Sequence, residues 1–163
     1  MDQTTALKVF DYKNGKLFWK CPTNPKKTPA GSLAGTVSKR GYIHVQYNRK
    51  IYKAHQLVYL MHTGTMCKLL DHVNGVLTDN RVENLRPASV MQNQRNAGIR
   101  KDNTSGVKNV SWHSRAKKWG VQLSIAGKIK HFGYFDDLEL AALVARSARE
   151  KHHAAFACHG RNE

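Results

Sequence analysis

The sequence predicts an α+β protein built in three parts. An N-terminal β region is followed by a central strand–strand–helix unit and by a C-terminal three-stranded sheet with one helix. Three observations predict this: runs of β-branched and aromatic residues between glycines, helical spacing of apolar residues, and a neutral centre between two basic flanks. The 163 residues suffice for one or two small domains with a buried core.

The N-terminal part, residues 14–54, has the composition of β structure. Gly15 precedes the run Lys-Leu-Phe-Trp, and Gly41 precedes a longer run of β-branched and aromatic residues. Residues 48–49, Asn-Arg, suit a two-residue turn between strands. Residues 21–29, with three prolines and two lysines, are expected to form a basic loop.

Two short helices are predicted within the central unit, one at each end. Apolar residues recur at helical spacing over 54–62, and Gly64 is expected to end that helix. A second helix is predicted over 88–97, with Ser89 as its N-cap.

The C-terminal part has the pattern of a small sheet covered by a helix. Ala126 and Gly127 suit a turn between two strands, and a helix is expected to begin after Asp136. Alanines recur along that helix and would let it lie close to the sheet. The predicted strands are 107–110, 119–125 and 128–132.

The same patterns predict the domain boundaries. Residues 1–97 would hold the N-terminal β region and the central unit, whose core spans 54–97. Residues 98–104 have turn and charge character and are predicted to be a linker. Residues 105–163 would then form the C-terminal domain.

The charge of the chain points to a polyanionic partner. Lysines and arginines number 27 against 11 acidic residues, a net charge of +16. The balance is +10 over residues 1–70, zero over 71–98 and +6 over 99–163. Because a basic surface binds nucleic acid by displacing its counterions, we expect nucleic acid as the partner.

Other features exclude several protein classes. No apolar run approaches the ~18 residues that would predict a membrane span, and the N-terminus lacks the pattern of a secretory signal. The three cysteines are scattered, which disfavours a disulfide framework or a cysteine zinc site. We therefore expect a protein of the reducing cytoplasm, with no membrane partner and no small-molecule cofactor.

The neutral centre holds the residues with the chemistry of a metal-dependent hydrolase. Asp71 and His72 are predicted to end one strand, Asn84 lies near the second, and Asn93 lies in the helix. Oxygens from Asp71 and Asn93 would suit a hard cation such as Mg²⁺, and an imidazole beside them could take a proton from water. The alternative is that these residues have purely structural roles, in turns, in helix caps or in the core.

The central sequence resembles the HNH (ββα-metal) nuclease motif, most closely in the variety found in phage and intron homing endonucleases. The resemblance is carried by Leu-Asp-His-Val-Asn-Gly at 70–75 and by Thr-Asp-Asn-Arg-Val-Glu-Asn-Leu-Arg at 78–86. The run Ala-His-Gln-Leu-Val at 54–58 is similar to the short helix that precedes that motif. We interpret its histidine, His55, as a structural residue that starts the helix.

The resemblance implies a role for each matching residue. His72 falls at the general base, and Asn84 falls at the residue whose carbonyl orients that imidazole. Asp71 and Asn93 fall at the metal ligands, whereas Asn96 is the weaker candidate. Asn93 stands where many family members have histidine, which favours Mg²⁺ or Mn²⁺ over Zn²⁺.

The C-terminal sequence resembles the AP2 DNA-binding domain, in which a three-stranded sheet enters the major groove. The resemblance spans about residues 104–157 and includes Ser-Gly-Val-Lys-Asn-Val-Ser-Trp at 105–112 and His-Phe-Gly-Tyr-Phe at 131–135. A second DNA surface is expected at the turns of the N-terminal sheet. The candidate DNA-binding residues are Lys108, Trp112, Arg115, Lys118, Trp119, Gln122 and Lys128, with Arg40 and Lys50 in the N-terminal part.

Together these features predict a homing-type endonuclease that hydrolyses phosphodiester bonds of double-stranded DNA with Mg²⁺ or Mn²⁺. With one site in each chain, a monomer would nick one strand, and a double-strand cut would require a homodimer or a second event. The alternative is a DNA-binding regulator with an inactive HNH unit. An RNA-binding protein fits the charge but not the paired motifs.

Overall fold

The computed structural model describes residues 1–21 and 28–160, and its fold is α+β, as the sequence predicts. Most of the basic loop predicted at 21–29 lies outside the described residues. Within the described ranges, no helix is both long and apolar enough to cross a membrane. Backbone contacts divide the chain into two compact units, Met1–Ala88 and Ser89–Glu163. The predicted linker at 98–104 stays a prediction.

Among its described residues, the first unit contains three small antiparallel sheets, two α-helices and a 3-10 helix at Val82–Asn84. The N-terminal hairpin pairs β1 with β2, the second sheet has the order β3-β4-β5, and β6 pairs with β7. The elements are α1 (Gln3–Val9), β1 (Phe10–Lys13), β2 (Lys16–Trp19), β3 (Thr36–Val37), β4 (Ile43–Tyr47), β5 (Lys50–Lys53), α2 (Ala54–Thr63), β6 (Leu70–His72) and β7 (Leu85–Pro87).

Helix α2 forms the centre of the first unit. Its apolar residues Leu57, Val58 and Leu60 are buried, together with Phe10 of β1 and Val45 of β4. Each such side chain stabilises the fold by roughly 1.5–3 kcal/mol. The predicted helix end at Gly64 is confirmed: its φ of 72° is left-handed, and its N–H donates to the Leu60 carbonyl at 2.9 Å.

The second unit is a helix-covered sheet preceded by a short helix. The strand order is β10-β9-β8, and all pairs are antiparallel. Ala141, Ala145 and Ala148 of the long helix are buried with Val121 and Leu123 of the central strand. The elements are α3 (Val90–Arg95), β8 (Val110–His113), β9 (Lys118–Ile125), β10 (Lys128–Phe135) and α4 (Leu138–His153).

Strands β8 and β10 differ most from the predicted strands. The strand expected at 107–110 begins only at Val110, because Asn109 has a left-handed φ of 69° and Ser105 Oγ donates to the carbonyls of Val107 and Val110. The last strand continues past 132 to Phe135, with an irregularity in pairing between His131 and Gly133.

Candidate active site

Asp71 and His72 lie side by side on β6 and are both buried, each with only 3% of its surface exposed. In the antiparallel register, Asp71 faces Arg86 and His72 faces Leu85 on β7. A polar pair in so short a buried strand needs compensating partners, since an unpaired buried charge is strongly destabilising.

Arg86 neutralises the Asp71 carboxylate. Its Nε and Nη2 atoms contact Asp71 Oδ2 at 2.9 Å and 2.7 Å, and the Arg86 side chain is itself only 19% exposed. This charge-assisted pair compensates the burial of the Asp71 carboxylate. Sequence reasoning placed Asp71 in the site but missed Arg86, although both lie in the motif.

The His72 ring is anchored by Asn80, a residue that the sequence analysis did not single out. His72 Nε2 and Asn80 Oδ1 are 3.0 Å apart, and Asn80 is 1% exposed. Asn80 lies in the loop between β6 and β7, eight residues after His72. The imidazole therefore has a fixed partner from its own loop.

Asn84 holds the loop rather than the imidazole, which corrects the predicted contact. Its Oδ1 accepts from the Asn74 N–H at 3.0 Å, and its Nδ2 donates to Asn74 Oδ1 at 2.9 Å and to the Asp79 carbonyl at 2.8 Å. These bonds tie the start of the loop to its end. The motif spacing identified a buried asparagine but not the group to which its amide bonds.

The Asp79 carboxylate also stabilises this loop. Arg81 Nε and Nη2 donate to it at 2.9 Å and 2.8 Å, and Asn74 Nδ2 donates to it at 2.7 Å. The hydrogen bonds from Arg81 hold the pKa of Asp79 well below its usual range. The segment that carries Asn80 is therefore fixed by charged hydrogen bonds at its exposed edge.

His55 packs against the His72 ring as well as starting α2. The two ring centroids are 5.0 Å apart in an edge-to-face arrangement, and the Tyr42 ring lies 5.3 Å from His55. Burial, followed by the nearby His72, Lys53 and His44, lowers the pKa of His55 to about 3. Its Nδ1 is buried and has no hydrogen-bond partner among the described residues.

A cationic side chain stands beside these rings. Lys53 Nζ lies 5.1 Å from the centroid of Tyr42, whose ring centroid is 6.2 Å from that of His72.

Arg40 and Lys50, the predicted DNA contacts of the same sheet, are exposed in the turn before β4 and at the start of β5. The turn predicted at 48–49 is confirmed, since both residues have left-handed φ angles of 47° and 60°.

The predicted DNA-facing residues of the second unit divide between the two faces of its sheet. Along β9, Val121 and Leu123 are buried under α4, whereas Gln122 is exposed on the opposite face. Lys118 shares the face of Gln122 by alternation. On that open face the rings of His113 and Tyr134 lie 5.0 Å apart in a T-shaped contact, which the sequence analysis missed.

The other predicted DNA-binding residues of the second unit do not lie on this open face of β9. Trp119 packs against the core under α4, and its ring lies 4.9 Å from that of the half-exposed Trp112. Lys128 pairs with Ile125 at the sheet end, and Arg115 is exposed in the turn between β8 and β9. Lys108 donates to the backbone carbonyls of Arg95 and Ala97.

Comparison with known proteins assigns the central residues. Residues 52–95 match the family model described as HNH endonuclease. Protein 3.8 of Escherichia phage T7 is 35% identical to this chain over 83 residues, which cover 51% of the chain and 69% of the phage protein.

The chain belongs to the family of phage T7 protein 3.8. Residues 52–95 are its HNH endonuclease domain. No solved structure matches the chain significantly.

The HNH domain contains the residues proposed to hold a cation, but in different units. Asp71 is on β6 of the first unit, whereas Asn93 is on α3 of the second. Among the described residues, no group of three or more His, Cys, Asp or Glu side chains could hold a metal ion. A carboxylate and an amide oxygen are nevertheless donors that suit Mg²⁺, which uses few protein ligands. Their joint role stays a prediction, as does the weaker one of Asn96.

Proposed function

We propose that the protein is a site-directed DNA endonuclease of the homing type. The observation that carries the proposal is the buried Asp71–His72 pair of the HNH domain, compensated by Arg86 and anchored by Asn80. A buried charge beside an imidazole destabilises a fold unless it is paired, and such residues are concentrated at catalytic sites.

His72 is the general base of the proposed reaction. Its imidazole takes a proton from the water that attacks phosphorus, because a neutral imidazole is a competent proton acceptor near neutral pH. Asp71 and Asn93 would hold Mg²⁺ or Mn²⁺, and the bound cation would stabilise the charge that develops on the phosphate and the leaving 3′ oxygen. Asn84 contributes by holding the loop that follows His72.

The sheet of the second unit is proposed to bind double-stranded DNA, as an AP2-like domain would. Its open face carries Lys118 and Gln122, whose side chains suit phosphate and base contacts, beside the aromatic pair of His113 and Tyr134. Arg115 and Lys128 are exposed near this face, and Arg40 and Lys50 would add contacts from the first unit.

The one site in each chain would nick a single strand as a monomer, and a double-strand cut would require a homodimer or a second event. The relationship to a phage protein supports a place of action in the cytoplasm of a host cell, where a homing nuclease would serve the mobility of its own gene.

Incubation of the purified protein with supercoiled phage or host DNA tests the proposal. We expect nicked circles in Mg²⁺ and none in EDTA, and mapped ends would give the site preference. Tight binding without cleavage in either Mg²⁺ or Mn²⁺ would contradict the nuclease and favour the DNA-binding regulator.

A further inference from the structure

Asn80 has an arrangement that points to a specific task at the site. It is almost fully buried, its Oδ1 lies 3.0 Å from His72 Nε2, and its Nδ2 has no hydrogen-bond partner among the described residues. A buried amide that leaves one of its groups unsatisfied is costly to keep. The hydrogen bond to His72 is the contact that the buried Asn80 side chain makes in return for this cost.

The chemistry of that contact determines which nitrogen of the ring carries the proton. An amide oxygen only accepts hydrogen bonds, so neutral His72 must carry its proton on Nε2 and its lone pair on Nδ1. The edge-to-face packing of His55 against the same ring opposes its rotation. Together the two contacts select one tautomer and one orientation of the imidazole.

The N-terminal hairpin supports the backbone around Asn80. A Cβ atom on Gly15, in the turn between β1 and β2, would lie 2.9 Å from the Arg81 nitrogen and 3.2 Å from the Asn80 carbonyl carbon. Tyr12 of β1 also accepts a hydrogen bond from the Val82 N–H at 3.4 Å. The hairpin and the loop therefore meet backbone to backbone, which requires glycine at that turn.

We propose that Asn80 is the positioning residue of His72 and that the β1–β2 hairpin keeps Asn80 in place. The inference deepens the proposed nuclease function and rests on it for the activity readout. The N-terminal hairpin would then help to position the general base, in addition to any contact that this part of the chain makes with DNA.

Two substitutions of Asn80 separate hydrogen bonding from shape. Asn80→Asp keeps an acceptor oxygen, whereas Asn80→Leu has similar volume and no acceptor. Multiple-bond ¹H–¹⁵N spectra, recorded about two pH units above the free imidazole value, report the tautomer. We expect the Nε2–H form in the wild type and Asn80→Asp and a mixture in Asn80→Leu, with the His72 signal assigned from its loss in His72→Ala. Nicking should fall about tenfold or more in Asn80→Leu, with DNA affinity unchanged.

A matched pair of glycine substitutions tests whether the hairpin supports Asn80. It also keeps the proposal testable if an Asn80 variant fails to fold. Gly15 and Gly31 share a φ of 80°, but a Cβ on Gly31 would meet nothing within 4 Å. Alanine is therefore strained by its φ at both turns, but its Cβ meets the backbone next to Asn80 only at position 15. We expect Gly15→Ala, and not Gly31→Ala, to disturb the His72 tautomer and slow nicking.

The inference is overturned if Asn80→Leu keeps the wild-type tautomer and nicking rate, or if the two glycine variants behave alike. Failure of the nuclease proposal has a different signature. In that case the wild type does not nick DNA, while the tautomer spectra still decide the part played by Asn80.

Discussion

Arg86 and Arg81 illustrate at the level of single residues how burial determines the value of an ion pair. Both guanidinium groups bind a carboxylate through Nε and Nη2. The Arg86 and Asp71 side chains are 19% and 4% exposed, whereas those of Arg81 and Asp79 are 52% and 18% exposed. Solvent screens the second pair, so that it contributes little to stability. Removing the partner of a buried charge typically costs about 3–5 kcal/mol.

We therefore expect Arg86→Leu to lower the unfolding free energy of the first unit by about 3–5 kcal/mol, because Asp71 would lose its buried countercharge. Arg81→Leu is the control and should cost much less, because solvent already screens that pair. Urea dependence of hydrogen exchange at α2 amides measures both. Equal losses in the two variants would contradict the assigned role of Arg86.

His55 predicts a pH dependence of stability. Its pKa is about 3 in the folded protein because of burial, followed by the nearby His72, Lys53 and His44, against an ordinary value of 6.5. Between these values the unfolded chain binds a proton that the folded chain does not. Stability that is present above pH 6.5 is therefore lost as the pH falls towards 3, by about 1.4 kcal/mol per unit from this group.

The measurement compares the unfolding free energy of the first unit at two pH values in the wild type and in His55→Phe, which keeps an aromatic ring against His72. The wild type should lose more stability on acidification than the variant, by the amount attributable to one proton. Parallel pH dependences would show that His55 takes up its proton in the folded state.

For single residues, the sequence predicted which side chains belong to the candidate site better than it predicted which partners they contact. Asp71 and His72 could be found from their motif, because neighbouring residues on a strand stay neighbours in the fold. The partner of His72 could not, since Asn80 and Asn84 both follow within twelve residues and only the path of the loop decides which amide faces the ring. His55 was interpreted as a structural residue, and nothing local to it predicts its contact with His72.

Helix α3 is an element whose stability depends on its cap. It has only six residues, and Ser89 Oγ accepts from the Gln92 N–H at 3.2 Å while Gln92 Oε1 accepts from the Ser89 N–H at 2.7 Å. Short helices are marginal without such caps. The predicted cap is confirmed, and the helix carries Asn93.

Ser89→Ala should destabilise α3 by about 1 kcal/mol. If Asn93 holds the cation, fraying of this helix raises the Mg²⁺ concentration for half-maximal nicking by about fivefold or less. Ser147→Ala, at an exposed position within α4, is the control and should leave it unchanged. The same metal dependence in both variants would remove the support for Asn93 as a ligand.

Element boundaries were predictable where a turn residue or a periodic run sets them. Helix α2 and its glycine end, the turn at 48–49 and the alanine-rich helix α4 follow from local sequence. The first helix, Gln3–Val9, and the late start of β8 do not. The latter depends on hydrogen bonds from Ser105 that compete with strand pairing.

For the whole molecule, the charge of +16 predicts strongly salt-dependent binding to DNA. Each phosphate neutralised by a lysine or arginine contributes about −0.9 to the slope of log affinity against log salt. Lys118→Ala, on the open sheet face, should reduce that slope by about one unit. Lys151→Ala is the control, because α4 covers the opposite face. Equal slopes for the two variants would argue against the open face as the DNA surface.

His72 as the base of a DNA-cleaving site is the central proposal for this protein. The direct measurement is nicking of supercoiled DNA in Mg²⁺ by His72→Ala beside the wild type, with DNA affinity measured on the same preparations. We expect the nicking rate to fall by about 100-fold or more while the dissociation constant stays within about twofold, as removal of a general base requires. Undiminished nicking by His72→Ala, or loss of DNA binding equal to the loss of nicking, would contradict the account.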